Sequence, residues 1–104
     1  MKAKDVYTML KTLKIPVAYD HFDSDKGVTP PFIVYREIDV DTFKADGISY
    51  FRDYNYEIEL VTEKKNPQLQ EDLETLLTNN KLPYDLRNEL WDNNEKIYHN
   101  IYEI

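Results

Sequence analysis

Chemistry in this chain, if any, has few side chains to work with. Asp20, His21, Asp23 and Asp25 fall within six residues, and carboxylates beside an imidazole are the donor set of a divalent-ion site. The spacing is not that of an EF-hand. Asp23 and Asp25 meet Gly27 without a third ligand at the required place and without a closing Glu. A solvated turn in an acidic protein explains the same residues. The second histidine, His99, stands between Ile97 and Ile101, where a lone imidazole is a packed or hydrogen-bonded residue more often than a base. Serine occurs only at Ser24 and Ser49 and cysteine is absent, and no nucleophile-elbow spacing supports a Ser-His-Asp arrangement. Glu57 and Glu59 share a strand face, yet carboxylate pairs are common in so acidic a chain and these two are expected in solvent. Two glycines in all leave no phosphate-cradling loop. The sequence therefore assigns no catalytic residue, no metal and no cofactor.

The 104 residues make one domain, 1–104, large enough for a single core. The absence of cysteine fits a reducing compartment. No apolar run reaches membrane-spanning length, and the basic N-terminus lacks the apolar stretch of a signal peptide. The formal net charge is -7, but residues 1–14 hold four lysines against one aspartate. An acidic body disfavours binding to phosphate backbones, so specific nucleic-acid or membrane binding is not expected. The lysines read most simply as the wet face of an amphipathic helix.

The elements follow from periodicity. Ala3, Val6, Leu10 and Leu13 mark a helix over 2–13, stopped by Ile15-Pro16. A short strand is expected at 17–22 and a turn at 23–27. Pro30-Pro31 opens a strand over 32–39, with Phe32, Val34 and Ile38 on one face and Ile33 and Tyr35 on the other. Residues 41–49 read as a long loop or an extended hairpin arm, with Phe43 isolated in its middle. Tyr54, Tyr56, Ile58 and Leu60 alternate with polar residues in a strand over 50–62. Asn66 caps and Pro67 starts a second helix, striped by Leu69, Leu73, Leu76 and Leu77 and ended by Asn79-Asn80. Strands at 84–91 and 96–103 flank a turn at 92–95.

The order α-β-β-β-α-β-β indicates an α+β domain: one mixed or antiparallel sheet of about five strands with two helices on one face. The other face would display tyrosine, isoleucine and phenylalanine. With nine tyrosines in the chain, a residue type enriched at interfaces, such a sheet suits self-association or partner binding. The candidate contacts are Ile33, Tyr35, Phe43, Trp91, Tyr98 and Tyr102, with the stretch from Asp39 to Tyr50 as a contact arm.

The stretches Pro16-Val17-Ala18-Tyr19-Asp20-His21-Phe22 and Pro30-Pro31-Phe32-Ile33-Val34-Tyr35 begin a likeness to a known family. Tyr54 to Thr62, the leucine-rich helix and Lys96 to Ile104 continue it across nearly the whole chain. In these strand patterns the sequence resembles small proteins from the structural-gene clusters of tailed phages and prophages of Gram-positive bacteria. It is similar to the tail-terminator and tail-completion proteins of long-tailed phages. The resemblance implies a non-enzymatic virion subunit without a cofactor. Such a subunit forms a ring, typically a hexamer, that meets tail-tube and head-connector proteins at the head–tail interface. It would be found in the host cytoplasm during assembly and then in the virion. Two other readings stay open: a monomeric adaptor gripping a partner with a tyrosine-rich sheet face, and a small metal-dependent hydrolase using Asp20, His21 and Asp23.

Overall fold

A computed structural model describes residues 2–23, 28–45 and 48–104, with the backbone path alone for 39–45 and 48–54. The elements are α1 (Ala3–Lys11), β1 (Val17–Tyr19), β2 (Phe32–Ala45), β3 (Ile48–Thr62), α2 (Pro67–Asn79), β4 (Asp85–Asp92) and β5 (Ile97–Glu103). They form one five-stranded mixed sheet in the order β1-β2-β3-β5-β4. β1 runs parallel to β2 and every other pair is antiparallel. The α+β class and the element order agree with the sequence reading.

Local chemistry sets the element ends. In α1 the Asp5 carboxylate accepts the Lys2 N–H at 3.1 Å, satisfying a donor at the helix start. Three i→i−3 bonds, from Thr12, Leu13 and Lys14, close its last turn, and Lys14 then takes a positive φ of 62° ahead of Pro16. In α2 the Asn66 side chain accepts the Leu69 N–H at 3.1 Å, with Pro67 in the first turn, as the capping pattern requires. The far end differs from expectation. Asn80 keeps a negative φ, and Lys81 takes the left-handed conformation, φ 59°. The Leu82 N–H then reaches back to the Leu77 carbonyl at 2.9 Å, a Schellman-type closure that satisfies an orphan carbonyl. The expected strand at 17–22 stops at Tyr19 because Asp20 turns the chain at φ 67°. In the β4–β5 turn the Asp92 carboxylate accepts the N–H groups of Asn94 and Glu95 at 3.0 and 3.1 Å.

Register decides the faces, since directly opposed residues share one. Ile33 faces Leu60, Tyr35 faces Ile58, and Ile58 faces Tyr102. All five lie on the face that packs against Val6, Met9 and Leu10 of α1 and Leu73 and Leu77 of α2. Both helices thus cover one face, as expected. Removing side chains of this size from water is worth about 1.5–3 kcal/mol each.

The stretch 41–49 is resolved in favour of the hairpin: β2 continues to Ala45 and β3 starts at Ile48. β1 reaches only 33–35 of β2, and β5 pairs with residues 57–62 of β3, Ile104 adding a last backbone pair at Tyr56. Residues 40–45 and 48–54 are therefore paired with each other and extend past the rest of the sheet. At about 3.4 Å per residue, the 15 residues of β3 run the length of the 51 Å long axis.

Candidate functional site: the open face, the arm and the edges

The face without helices is graded along its strands. At one end a charged row crosses four strands. Arg36 of β2 pairs with Glu57 of β3 at 3.5 Å, and Arg87 of β4 pairs with Glu103 of β5 at 2.9 Å. In the middle, Nδ1 of His99 pairs with the Glu59 carboxylate. The other end is largely apolar, with Phe32, Val61 and Leu90 on one row of the register, His99 standing between Val61 and Leu90. The chain after β1 folds over this end, setting Phe22 edge-on to Phe32 with ring centroids 5.3 Å apart. A groove of about 400 Å³ runs beneath it, lined by Asp20, Phe22, Phe32, Val34 and Glu59.

Of the residues singled out for metal chemistry, Asp20, His21 and Asp23 line this groove without being grouped around one point. His21 Nδ1 pairs with the Asp20 carboxylate at 3.0 Å with both side chains largely in solvent. Asp25 lies outside the described residues, as does Ser24, and nothing is described of the Ser49 side chain. Among the described residues no three carboxylates or imidazoles are grouped to hold a metal ion. His99 is hydrogen-bonded, held by Glu59 and four-fifths buried.

The contact candidates divide. Ile33 and Tyr102 are fully buried and Tyr35 nearly so, which removes them from any surface and corrects the expectation that they line the uncovered face. Both parities of β2 are apolar, so alternation alone did not say which one the helices cover; the pairing with Leu60 and Ile58 does. The same correction reaches the tyrosine-rich open face. Tyr19, Tyr35, Tyr56, Tyr98 and Tyr102 all occupy helix-side positions of the register. The Phe43 side chain lies outside the described residues. Tyr98 is half-buried, opposed to Trp91 and capped by the Lys65 ammonium 5.2 Å from its ring centre. Trp91 is 47% exposed and does not plug the core.

Sequence reasoning missed the edge strand as a surface. In β4 every residue but Asp92 is exposed, and Leu86, Leu90 and Trp91 leave large apolar area in water. The signal was present in Asp85-Leu86-Arg87-Asn88-Glu89-Leu90-Trp91-Asp92. Four charges in eight residues are how an edge strand discourages stray pairing.

Behind β4 lies a polar network. Tyr102 and Tyr84 donate to the two oxygens of the Glu74 carboxylate at 2.6 and 3.2 Å. Burial, and then the Glu74 charge, push the Tyr102 phenol well above its ordinary range. Glu89 accepts from Lys65 and from Gln70, and the Lys65 bond holds its carboxyl below the usual range. The arrangement is structural, since it ties α2 to β4 and β5.

No known family model and no curated protein matches this chain.

Proposed function

We propose that this chain is a structural subunit of a tailed-phage particle. In this reading copies of it close into a ring, typically of six, that acts as a tail terminator or tail-completion element between tail tube and head connector. The observation that carries the reading is the β2–β3 arm. Among the described residues, 40–45 and 48–54 are paired as strands with each other alone, beyond the body of the sheet. A lone two-stranded ribbon is marginal in water, and long projecting segments are commonly functional. Docked on a neighbouring subunit, such an arm gains the support it lacks at home. The strand patterns that carry the phage-family likeness all fall on β1, β2, β3 and β5, the framework that holds this arm. The acidic balance of the chain suits a lumen that lets DNA pass without adhering.

The test is molar mass by light scattering across concentration, with negative-stain imaging. Closed rings of about six subunits are expected. Replacing residues 41–53 by an Asn-Gly turn, which keeps the Val40–Tyr54 pair at its base, is expected to leave a folded monomer. Rings that form unchanged without the arm would remove it from the assembly, and a native chain that stays monomeric with tail-tube protein present would overturn the ring reading.

A further inference from the structure

The two edges of the sheet differ in charge. α1 packs on β1 and β2, at the end of the strand order opposite β4. Lys4, Tyr7 and Lys11 fall at i, i+3 and i+7, a single stripe along the helix, Lys14 follows in the turn after it, and all four are exposed. Tyr7 also lies 6.5 Å from Tyr35, which in turn packs edge-on against exposed Tyr19 of β1. This edge is therefore basic with a tyrosine floor.

At the far edge the signs reverse. Residues 67–95 contain seven carboxylates against Lys81 and Arg87, and Arg87 is already engaged by Glu103 and Asp85. Glu71 lies one turn from Glu74 on the flank of α2 that faces Tyr84, and Asp85 opens β4 in solvent. The same strand exposes Leu86 beside Asp85 and Trp91 near its other end, so this edge is acidic with an apolar floor.

We propose that the α1–β1 edge of one copy docks on the α2–β4 edge of the next, head to tail. This rests on the self-assembly reading and adds to the docked arm a second contact between neighbouring copies. The two surfaces point away from each other, so one chain cannot satisfy both by itself. A head-to-tail contact can, and it yields a ring when the rotation closes. Antiparallel pairing of β4 with β4 of a second copy is disfavoured, because full overlap would set Asp85 of each strand against Asp92 of the other. Strand addition at the other edge is limited by β1, which has three residues and ends at the turn on Asp20. The contact is thus made by side chains, with Tyr7 and Tyr19 meeting Leu86 and Trp91 inside a rim of opposite charges.

Charge reversal tests it. Lys4→Glu with Lys11→Glu on one chain, and Glu71→Lys with Asp85→Lys on another, alter exposed positions only and leave the fold intact by circular dichroism. Each double variant alone is expected to self-associate about tenfold or more weakly than the native chain. An equimolar mixture regains assembly, since every junction in an alternating ring then joins opposite charges. Added salt weakens the native assembly. Native oligomers that neither double variant disturbs would overturn this interface while leaving the ring intact. A native chain that stays monomeric with tail-tube protein present would overturn both. Variants that weaken but fail to rescue each other in the mixture would assign the two edges to different partners and overturn the head-to-tail contact.

Discussion

The two faces of the sheet are built from the same strands and do different work. On the helix side, Ile33, Ile58 and Leu60 are sealed beneath α1 and α2, and the buried polar groups include a bonded set around Glu74 together with Asn100, whose amide donates to the Leu60 carbonyl. On the open side, a charged row sets two adjacent carboxylates between two arginines, and the apolar residues gather at the other end, where Phe22 packs on Phe32. Burial makes the first face energetically steep, because each atom removed leaves a void. Solvent makes most of the second shallow, because water replaces what a substitution removes, with the buried Val61 at its apolar end as the exception. The difference teaches where this chain can vary without unfolding, which is also where a partner can be accommodated.

The sharpest test is a matched pair of truncations. Leu60→Ala on the helix side empties a site with no solvent access and is expected to cost about 2–5 kcal/mol. Val34→Ala, one strand away on the open face and partly exposed, is expected to cost about 1 kcal/mol or less. Urea denaturation of the two variants checks the ratio. Equal losses would mean that the open face is as sealed as the other, and the contrast would fail.

Much of this contrast could be seen in the sequence. The alternation Tyr56, Ile58, Leu60 against Asn55, Glu57, Glu59 is unambiguous, and it correctly fixed the buried face of β3. The leucine stripe of α2 and the Asn66-Pro67 start were equally plain. β2 was not, because Phe32-Ile33-Val34-Tyr35 is apolar at every position and alternation carries no sign there. The hairpin was half-seen, since Asp41 to Ser49 is polar enough to pass for a loop and only pairing with β3 makes it a strand. The interface candidates suffered most. Tyrosine suggested a surface, yet Tyr102 is buried because its hydroxyl has Glu74 to bond, and Tyr56 is sealed with it in the core. The surfaces proposed to dock, the lysine stripe and β4, are legible only as charge patterns whose positions in space the chain order does not state.

The polar set on the helix side gives the next largest effect. Tyr102→Phe removes the bond to Glu74 while Tyr84 keeps the carboxylate partnered, so a loss of about 1–2 kcal/mol is expected at neutral pH. The pH dependence has a definite sign. The folded protein holds the Tyr102 proton more tightly than an unfolded chain does, so this stabilisation is complete below about pH 10, the ordinary tyrosine range, and is lost as pH rises above it. Tyr35 and Tyr84 are raised in the same direction by burial. Thermal melts between pH 8 and 11.5 should show an alkaline decline that is shallower in the variant. An unchanged slope would place the decline on the other two tyrosines.

Glu89 acts at the opposite end of the scale and more weakly, being partly in solvent. Its carboxyl is depressed by the Lys65 bond and then by Gln70. Its contribution is therefore present above the normal glutamate range and disappears as pH falls through and below pH 4. Glu89→Gln should cost less than about 1 kcal/mol at pH 7 and progressively less as pH falls below the normal glutamate range. A constant difference across that fall would mean that packing, not charge, carries the residue.

The smallest effect is the most telling about the open face. Glu57 and Glu103 are directly opposed, a repulsive placement on any sheet, and each is held by an arginine on its outer side. Two couplings of opposite sign follow. A double-mutant cycle on Arg87→Ala and Glu103→Gln should report an attraction of about 0.2–1 kcal/mol, while a cycle on Glu57→Gln and Glu103→Gln should report a repulsion of similar size. Because the terms offset, Glu103→Gln alone is expected to be nearly neutral. The open face would then tolerate a charge change that the helix face, with its Glu74 carboxylate bonded on both oxygens, would not. If Glu103→Gln alone costs as much as Tyr102→Phe, the charged row is a structural element in its own right, and the two faces differ in chemistry but not in their claim on stability.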